Sequence, residues 1–467
     1  MAARARNLQE LVETTPNLQQ LLYNNPTGGR FWPNVPPEFS NWRDEQRGWR
    51  ETVVLFEQSY HMTNLYVRGP DAFRLLNYLS INSFQGFQPG QAKQMVCVSP
   101  DGYYVGDAIL FYLDEHEFVI VGVGAIHNWV EYHAQALGAQ VTLERDESSR
   151  ADPRRPRTCY RFQLQGPNAR PLMEKLTGGR IPDIPFFHFT YIDIAGHRVG
   201  YLHHGMVGVE GAELWGPFDE LQAVKGAILE AGAEFGLRQV GSRTYATNAL
   251  ESGWIPNPLP AVYTGEQLRP YREWLPATAF EAVSSLGGSF VSDRIEVYYL
   301  TPWDLGYGRL VKFDHDFIGR AALERMAHLP HRKRVTFVWD ERDTVRILSS
   351  VIEKPYGHNY KYFDLPLAQY ATWMYDAVLN DAGEVVGFAM WTGFDVNERA
   401  VLALGTVRAE YAQPGTRLRL IWGEPNGGSR KPSVERHVQT EVQVTVGPVP
   451  YSEPSRRYRE MVLHRRG

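Results

Sequence analysis

The chain is short of cysteine, of long apolar runs and of clustered charge of one sign. Its two cysteines, Cys97 and Cys159, stand in no CxxC or other metal spacing. That argues against a thiolate metal site and fits a reducing cytosol. No apolar run reaches the roughly 18 residues of a membrane span. The opening stretch, MAARARNLQELVETTPNLQQLL, carries acids and has no apolar core, so it does not read as a signal peptide. Net charge is -5. The small clusters Arg154, Arg155, Arg157 and Arg456, Arg457, Arg465, Arg466 read as a solvated loop and tail. Without a dominant basic stripe, nucleic acid is not expected as the main partner. The expectation is a cytoplasmic protein, with its oligomeric state open.

Motif signals are also sparse. Gly122-Val123-Gly124 lacks the third glycine of a dinucleotide loop, and no GxxxxGK[ST], HExxH or GxSxG string is present. His203 and His204 are adjacent, a poor spacing for joint metal ligation, so no metal site is expected. The composition, 43% hydrophobic and 22% charged, is that of an ordinary globular protein. Aromatics reach 13%, with 25 Tyr and 12 Trp. Such an excess suits pockets for planar ligands, or simply a Tyr-rich core and surface.

At 467 residues, two or three structural units are expected. Residues 1 to about 50 read as a short helix followed by a Pro- and Gly-broken loop. Val67–Leu79 reads as strand, turn and helix, with Ala72, Leu75, Leu76 and Leu79 on one face. Ala108–Tyr112 and Phe118–Val123 are strand candidates. Pro167 opens a second helix, with Leu172, Met173 and Leu176 turned inward. Asp219 is placed to cap a third, with Leu221, Val224 and Ile228 inward and Gly236 as its stop. The polar, Pro-broken segment 143–158 reads as a loop. From about residue 330 the texture changes to short strands: Arg334–Trp339, Val385–Met390, Leu402–Val407, Arg417–Trp422 and Glu441–Val446. This predicts a separate β-barrel over 331–467, after an α+β region of two interwoven subdomains over 1–330.

Six segments, in order, resemble the folate-binding aminomethyltransferase family of the glycine-cleavage T-protein. They are Leu55 to Met62 with the following Arg68-Gly69-Pro70-Asp71-Ala72; Gln165-Gly166-Pro167; Gly205 to Leu214; Arg243 to Gly253; and Lys312 to Arg320. Longer strings resemble one branch more closely, the bacterial tetrahydrofolate-dependent O-demethylases of vanillate, syringate and related methoxybenzoates. These are Pro37 to Arg43, Leu250 to Pro256, Tyr271 to Pro276 and Val311 to Arg320. The resemblance implies a T-protein-like, three-unit α+β fold. It also implies methyl transfer from an aryl methyl ether to tetrahydrofolate, giving a phenol and 5-methyltetrahydrofolate.

Phenolate is a reluctant leaving group. The acceptor nitrogen must therefore be held in line with the methyl carbon, and the ether oxygen must receive a proton. By resemblance, Tyr245 is the acid or polarising hydroxyl, and Gln58 and His61 are its substrate-side partners. Three residues apart on a strand, those two face opposite ways unless the strand ends or bulges between them. Glu213 resembles the family's pterin anchor, since a carboxylate can accept two parallel N–H bonds from the pterin edge. Trp215 and Trp254 are planes for pterin or arene, or plain core residues.

Two positions depart from the branch: Trp32 stands where it has tyrosine, and Val123 where it has an arginine suited to a benzoate carboxylate. A single acid, Asp107 after Gly106, replaces the T-protein's pair, which argues against an aminomethyl-lipoyl substrate. The loss at Val123 favours a methoxybenzoate with a displaced carboxylate, as in 2-methoxybenzoates such as dicamba, with His127 or Arg30 as polar alternatives. Vanillate or syringate is the alternative substrate. N- or S-demethylation of a small aliphatic substrate, and a non-catalytic folate-binding module, are the rival functions.

Overall fold

The computed structural model describes residues 5–28, 33–150, 153–179, 181–354 and 358–464. Trp32 and Arg30 lie outside them. The first eleven strands are Val53–Glu57 (β1), Thr63–Arg68 (β2), Gln91–Val98 (β3), Tyr104–Asp114 (β4), Glu117–Gly122 (β5), Thr142–Asp146 (β6), Cys159–Gln165 (β7), Phe189–Ile194 (β8), His197–His203 (β9), Gly211–Pro217 (β10) and Leu237–Val240 (β11). They form two sheets, ordered β11-β1-β7-β10-β9-β8 and β3-β4-β5-β2-β6. The chain therefore starts in the first sheet at β1, crosses to build the whole of the second, and returns at β7. This interweaving places the β1–β2 turn, residues 58–62, at the seam between the sheets.

The remaining strands are Leu286–Gly287 (β12), Lys333–Trp339 (β13), Trp373–Met374 (β14), Asp376–Leu379 (β15), Val385–Asp395 (β16), Ala400–Val407 (β17), Arg417–Trp422 (β18) and Thr440–Gly447 (β19). Six of them close a barrel, β13-β17-β16-β15-β18-β19. All five strands expected after residue 330 are in it. Its interior is filled by Phe337, Val378, Leu420, Val442 and Val444, the inward half of the period-two pattern. Its other face joins the main core: Trp391, Leu402 and Leu404 cluster with Trp49, Phe56 and Tyr245. A short parallel pair, β12 with β14, adds a second tie.

Three local readings need correction. Among the described residues, the N-terminal region holds three helices, Leu8–Thr14, Leu18–Tyr23 and Trp42–Glu51. The last was hidden by its charge, but Asn41 caps it by accepting from Asp44 N at 3.1 Å, and it buries Trp42, Gln46 and Trp49. Asp219 makes no cap; it lies in the single turn Phe218–Glu220 that precedes the helix Leu221–Gly232. Gly236, at φ +67°, does end the turn that follows, a conformation glycine adopts without cost. The third concerns 143–158, which is partly strand. As the edge strand of its sheet, β6 keeps most of its side chains in or near water and so reads as polar. Arg157 is not solvated: it is buried and paired with Asp146 at 3.2 Å.

Candidate functional site

The strand β1 stops at Glu57. Gln58 N still donates to Arg161 O at 2.9 Å, and the chain then turns, with Met62 N bonded to Gln58 O at 3.4 Å. Because the strand ends there, Gln58 and His61 escape strict alternation and reach the same neighbour. Gln58 Nε2 donates to the Tyr245 hydroxyl at 3.0 Å, and the His61 ring meets Tyr245 edge-to-face at 4.7 Å between centroids. All three are buried. Phe56 packs against the Tyr245 ring from the strand, at 5.3 Å.

Tyr245 ends the one-turn helix Ser242–Tyr245, too short to stand on its own hydrogen bonds. Buried Glu45 holds its start. That carboxylate accepts from Gly241 N at 2.9 Å, Thr244 Oγ1 at 2.7 Å and Phe39 N at 2.6 Å. The helix Trp42–Glu51, unexpected from sequence, thus sets the position of Tyr245.

Glu213 sits on β10, opposite Gln163 of β7. Its carboxylate is buried, bonded through one oxygen to Arg161 Nη1, with His204 Nδ1 at 3.4 Å from the other. Burial opposes ionisation, but Arg161 and then His204 outweigh it and hold Glu213 below the usual carboxylate range. Each carboxylate oxygen keeps a second lone pair, so the pairing leaves room for two further donors. Trp215, two residues along the same face, covers the Arg161 guanidinium at 5.6 Å and meets Phe111 edge-on at 5.2 Å.

The loop 204–210 links the two groups. Met206 N donates to Gln165 Oε1 at 2.8 Å, while Met206 Sδ lies 3.1 Å from Gln58 Nε2. Gln163 Nε2 donates to His204 O at 2.9 Å. Gly211 lets the loop approach this closely: a Cβ there would meet Leu164 O at 2.6 Å and the Gln165 amide at 2.8 Å. Arg161, Gln163, Gln165, His204 and Met206 were not among the residues expected at the site. A signal existed for three of them: on fully buried β7, polar Arg161, Gln163 and Gln165 alternate with apolar Tyr160, Phe162 and Leu164, a polar face that a plain core strand does not carry.

Trp254 belongs to a third group. Its Nε1 donates to the Tyr307 hydroxyl at 2.7 Å, which donates to Asp107 Oδ2 at 3.0 Å. Tyr104 and Gln94 also donate to Asp107. Burial pushes Asp107 up, and these bonds oppose the rise. Val123 follows β5 and lines a small cleft with Tyr104, Gly106, Asn257 and Phe280. Its neighbour Gly122 pairs with Thr63, two residues beyond His61. His127 does not replace a lost cation: burial lowers it to about 4, so it is neutral at pH 7, and its Nε2 faces Ile120 O at 3.4 Å.

The description GCVT N-terminal domain matches residues 23–256. A syringate O-demethylase of Sphingobium sp. (strain NBRC 103272 / SYK-6) is 48% identical over 97% of each chain. A sesamin methylene transferase of Sinomonas sp. (strain No.22) is 30% identical over 89% of this chain and 90% of its own. Among solved structures, the glycine cleavage system aminomethyltransferase T of Bartonella henselae superposes with a TM-score of 0.61 at 18% identity, covering 92% of this chain and 95% of that one; it shares the fold. This chain belongs to the GCVT family, and it matches an O-demethylase of that family over nearly its whole length.

Proposed function

We propose that the protein is a tetrahydrofolate-dependent O-demethylase that moves the methyl group of a methoxybenzoate to the folate. The observation that carries this reading is the convergence of Gln58, His61 and Tyr245 at one end of a polar face whose other end is Glu213. The likeness to the syringate enzyme over nearly its whole length supports it.

The residues around Glu213 fit a pterin. Glu213 is ionised and held, and among the described residues the Gln163 Oε1 beside it is buried with no hydrogen-bond partner. A pterin edge offers N–H donors to both, and Glu213 would hold it there. When bound, the folate supplies a nucleophilic nitrogen that accepts the methyl group.

The chain's own part is acid catalysis and positioning. Gln58 donates to the Tyr245 oxygen, so the phenol's own hydrogen is the one it can give. As the carbon–oxygen bond of the ether breaks, Tyr245 protonates the departing oxygen and the product leaves as a neutral phenol. His61, edge-on to the Tyr245 ring, fixes the plane in which that hydroxyl swings. The apolar surroundings of Phe56 and Tyr245 exclude water from the transfer.

The division at 330/331 belongs to the same proposal: residues 1–330 bind folate and substrate, and 331–467 form the barrel, whose first strand begins at Lys333. So does a cytoplasmic location, which suits the two buried free thiols.

The test is a panel of 2-methoxybenzoate, vanillate, syringate and guaiacol with tetrahydrofolate, following 5-methyltetrahydrofolate by mass spectrometry. Turnover of a methoxybenzoate that persists with chelator and without flavin is expected. No turnover of any methoxyarene, or turnover that stops with chelator and returns with a divalent metal, would overturn the reading. Syringate is the second substrate reading, favoured by the name of the 48% identical relative; the highest kcat/KM in the panel decides between it and a 2-methoxybenzoate.

A further inference from the structure

The last helix, Glu453–His464, follows the final barrel strand. Pro454 stands in its first turn, where the missing N–H would have no partner in any case. Ser452, just before it, is buried and accepts from Arg50 Nη2 at 3.0 Å. The same nitrogen donates to Glu251 at 2.6 Å and to Glu398 at 2.8 Å. These acceptors come from the C-terminal segment, from the short helix Asn248–Ser252 just after Tyr245, and from the turn between β16 and β17. One guanidinium thus fixes where the last helix starts, close to the elements that carry Tyr245.

From that start, Ser455 reaches the loop 204–210. Its side chain is buried, and its hydroxyl donates to Val207 O at 3.0 Å. Gly208, at φ +71°, lets the two segments touch: a Cβ there would meet Ser455 Cβ at 2.6 Å and Oγ at 2.8 Å. Among the described residues, the other side-chain bonds to the loop backbone all come from β7. Gln163 donates to His204 O, while Gln165 accepts from Met206 N and donates to Val209 O and Glu210 O. A loop tied along one strand keeps the freedom to swing about that strand. A bond from a separate element, at Val207 in its middle, removes it.

Both ends of the site feel where this loop sits. His204 Nδ1 lies 3.4 Å from the Glu213 carboxylate, and Met206 Sδ lies 3.1 Å from the Gln58 amide that donates to Tyr245. Val207 follows directly on Met206. We propose that Ser455 is a positioning residue: it seats the loop 204–210, and through it the C-terminal helix sets the folate end and the reacting end together. The inference rests on the demethylase reading for what those two ends do.

Hydrogen exchange, folate calorimetry and turnover are measured on the wild-type protein, Ser455→Ala and Ser455→Leu. The alanine removes the bond to Val207 O; the leucine also wedges against Gly208. In Ser455→Ala the amides of 204–210 are expected to exchange roughly three- to tenfold faster, while those of β7 and β10 keep their wild-type rates. Tetrahydrofolate affinity and kcat are expected to fall together, about threefold in Ser455→Ala and about tenfold or more in Ser455→Leu, because the loop is displaced from both ends at once. Loop exchange at the wild-type rate in both variants, faster exchange spread evenly over the chain, or loss of kcat or of folate affinity without the other would overturn the role of Ser455. A wild-type protein that demethylates no methoxyarene, with loop exchange raised and folate binding weakened in Ser455→Ala, would sink the demethylase reading and keep the clamp.

Discussion

Glu213 and Tyr245 reach the site by different routes. Glu213 is carried mid-strand, in register with Gln163; it is paired with Arg161 and lies beside His204. Tyr245 sits at the end of a one-turn helix, and its partners come from a turn where β1 has just ended. The first end is held by a continuous backbone ladder; the second is held by side chains, with Glu45 bonding the helix start from a distant part of the sequence. A residue proposed to hold the folate edge suits a rigid sheet. A site where bonds break needs groups that converge from several elements, and that convergence depends on loops and caps.

Damage at the sheet end is expected first as lost stability, and damage at the turn end as lost rate. The largest effect is expected for Arg161→Met, which leaves Glu213 buried without its arginine partner. Stability should fall by about 3–5 kcal/mol in urea denaturation. Adding Glu213→Leu should restore much of it, since the uncompensated charge goes. A single variant as stable as the wild type would remove the ion pair from the argument.

Tyr245→Phe should lower kcat by about 10² or more, ~2.7 kcal/mol of barrier, with arene affinity within about threefold. The ring still packs against Phe56 and His61, and only the hydroxyl is gone. A kcat within about threefold of wild type would assign the proton to another group.

Glu213→Gln should weaken tetrahydrofolate by more than ~1.5 kcal/mol in calorimetry while leaving the pair's shape in place. The pH dependence sharpens this. Glu213 is held below its unfolded value, so its stabilisation is fully present above the ordinary carboxylate value near ~4.3 and is lost as pH falls through the lower folded value. Denaturation midpoints followed downward from pH 5 should therefore drop less in the variant than in the wild type.

The smallest effect is expected for Glu45→Gln, which touches no ligand. It trades charged acceptance at Gly241 N and Thr244 Oγ1 for weaker bonds, about 1 kcal/mol. We expect kcat to fall about threefold with KM unchanged, because Tyr245 is displaced rather than removed. A change in folate affinity larger than the change in kcat would mean that the two ends are not separately built.

Much of this was legible in the chain itself. The barrel could be read from short alternating runs beyond residue 330, because a strand with one face in a core writes its period directly into the sequence. The polar alternation on β7 is of the same kind. Motif order pointed to Gln58, His61, Glu213 and Tyr245, though not to how they meet. The helix Trp42–Glu51, edge strand β6 and the burial of Arg157 were not legible. Their residues are charged, and charge says nothing about whether its partner is water or a buried acid on a distant segment. What the sequence by itself determined is therefore the barrel, whose strands carry their period in the open, and the chemical types expected at the site. Only the tertiary structure decided that β1 ends at Glu57 so that Gln58 and His61 reach the same neighbour, and that Glu45 holds the Tyr245 helix. These are long-range pairings, which depend on which segments the sheets bring together rather than on any local preference of the chain.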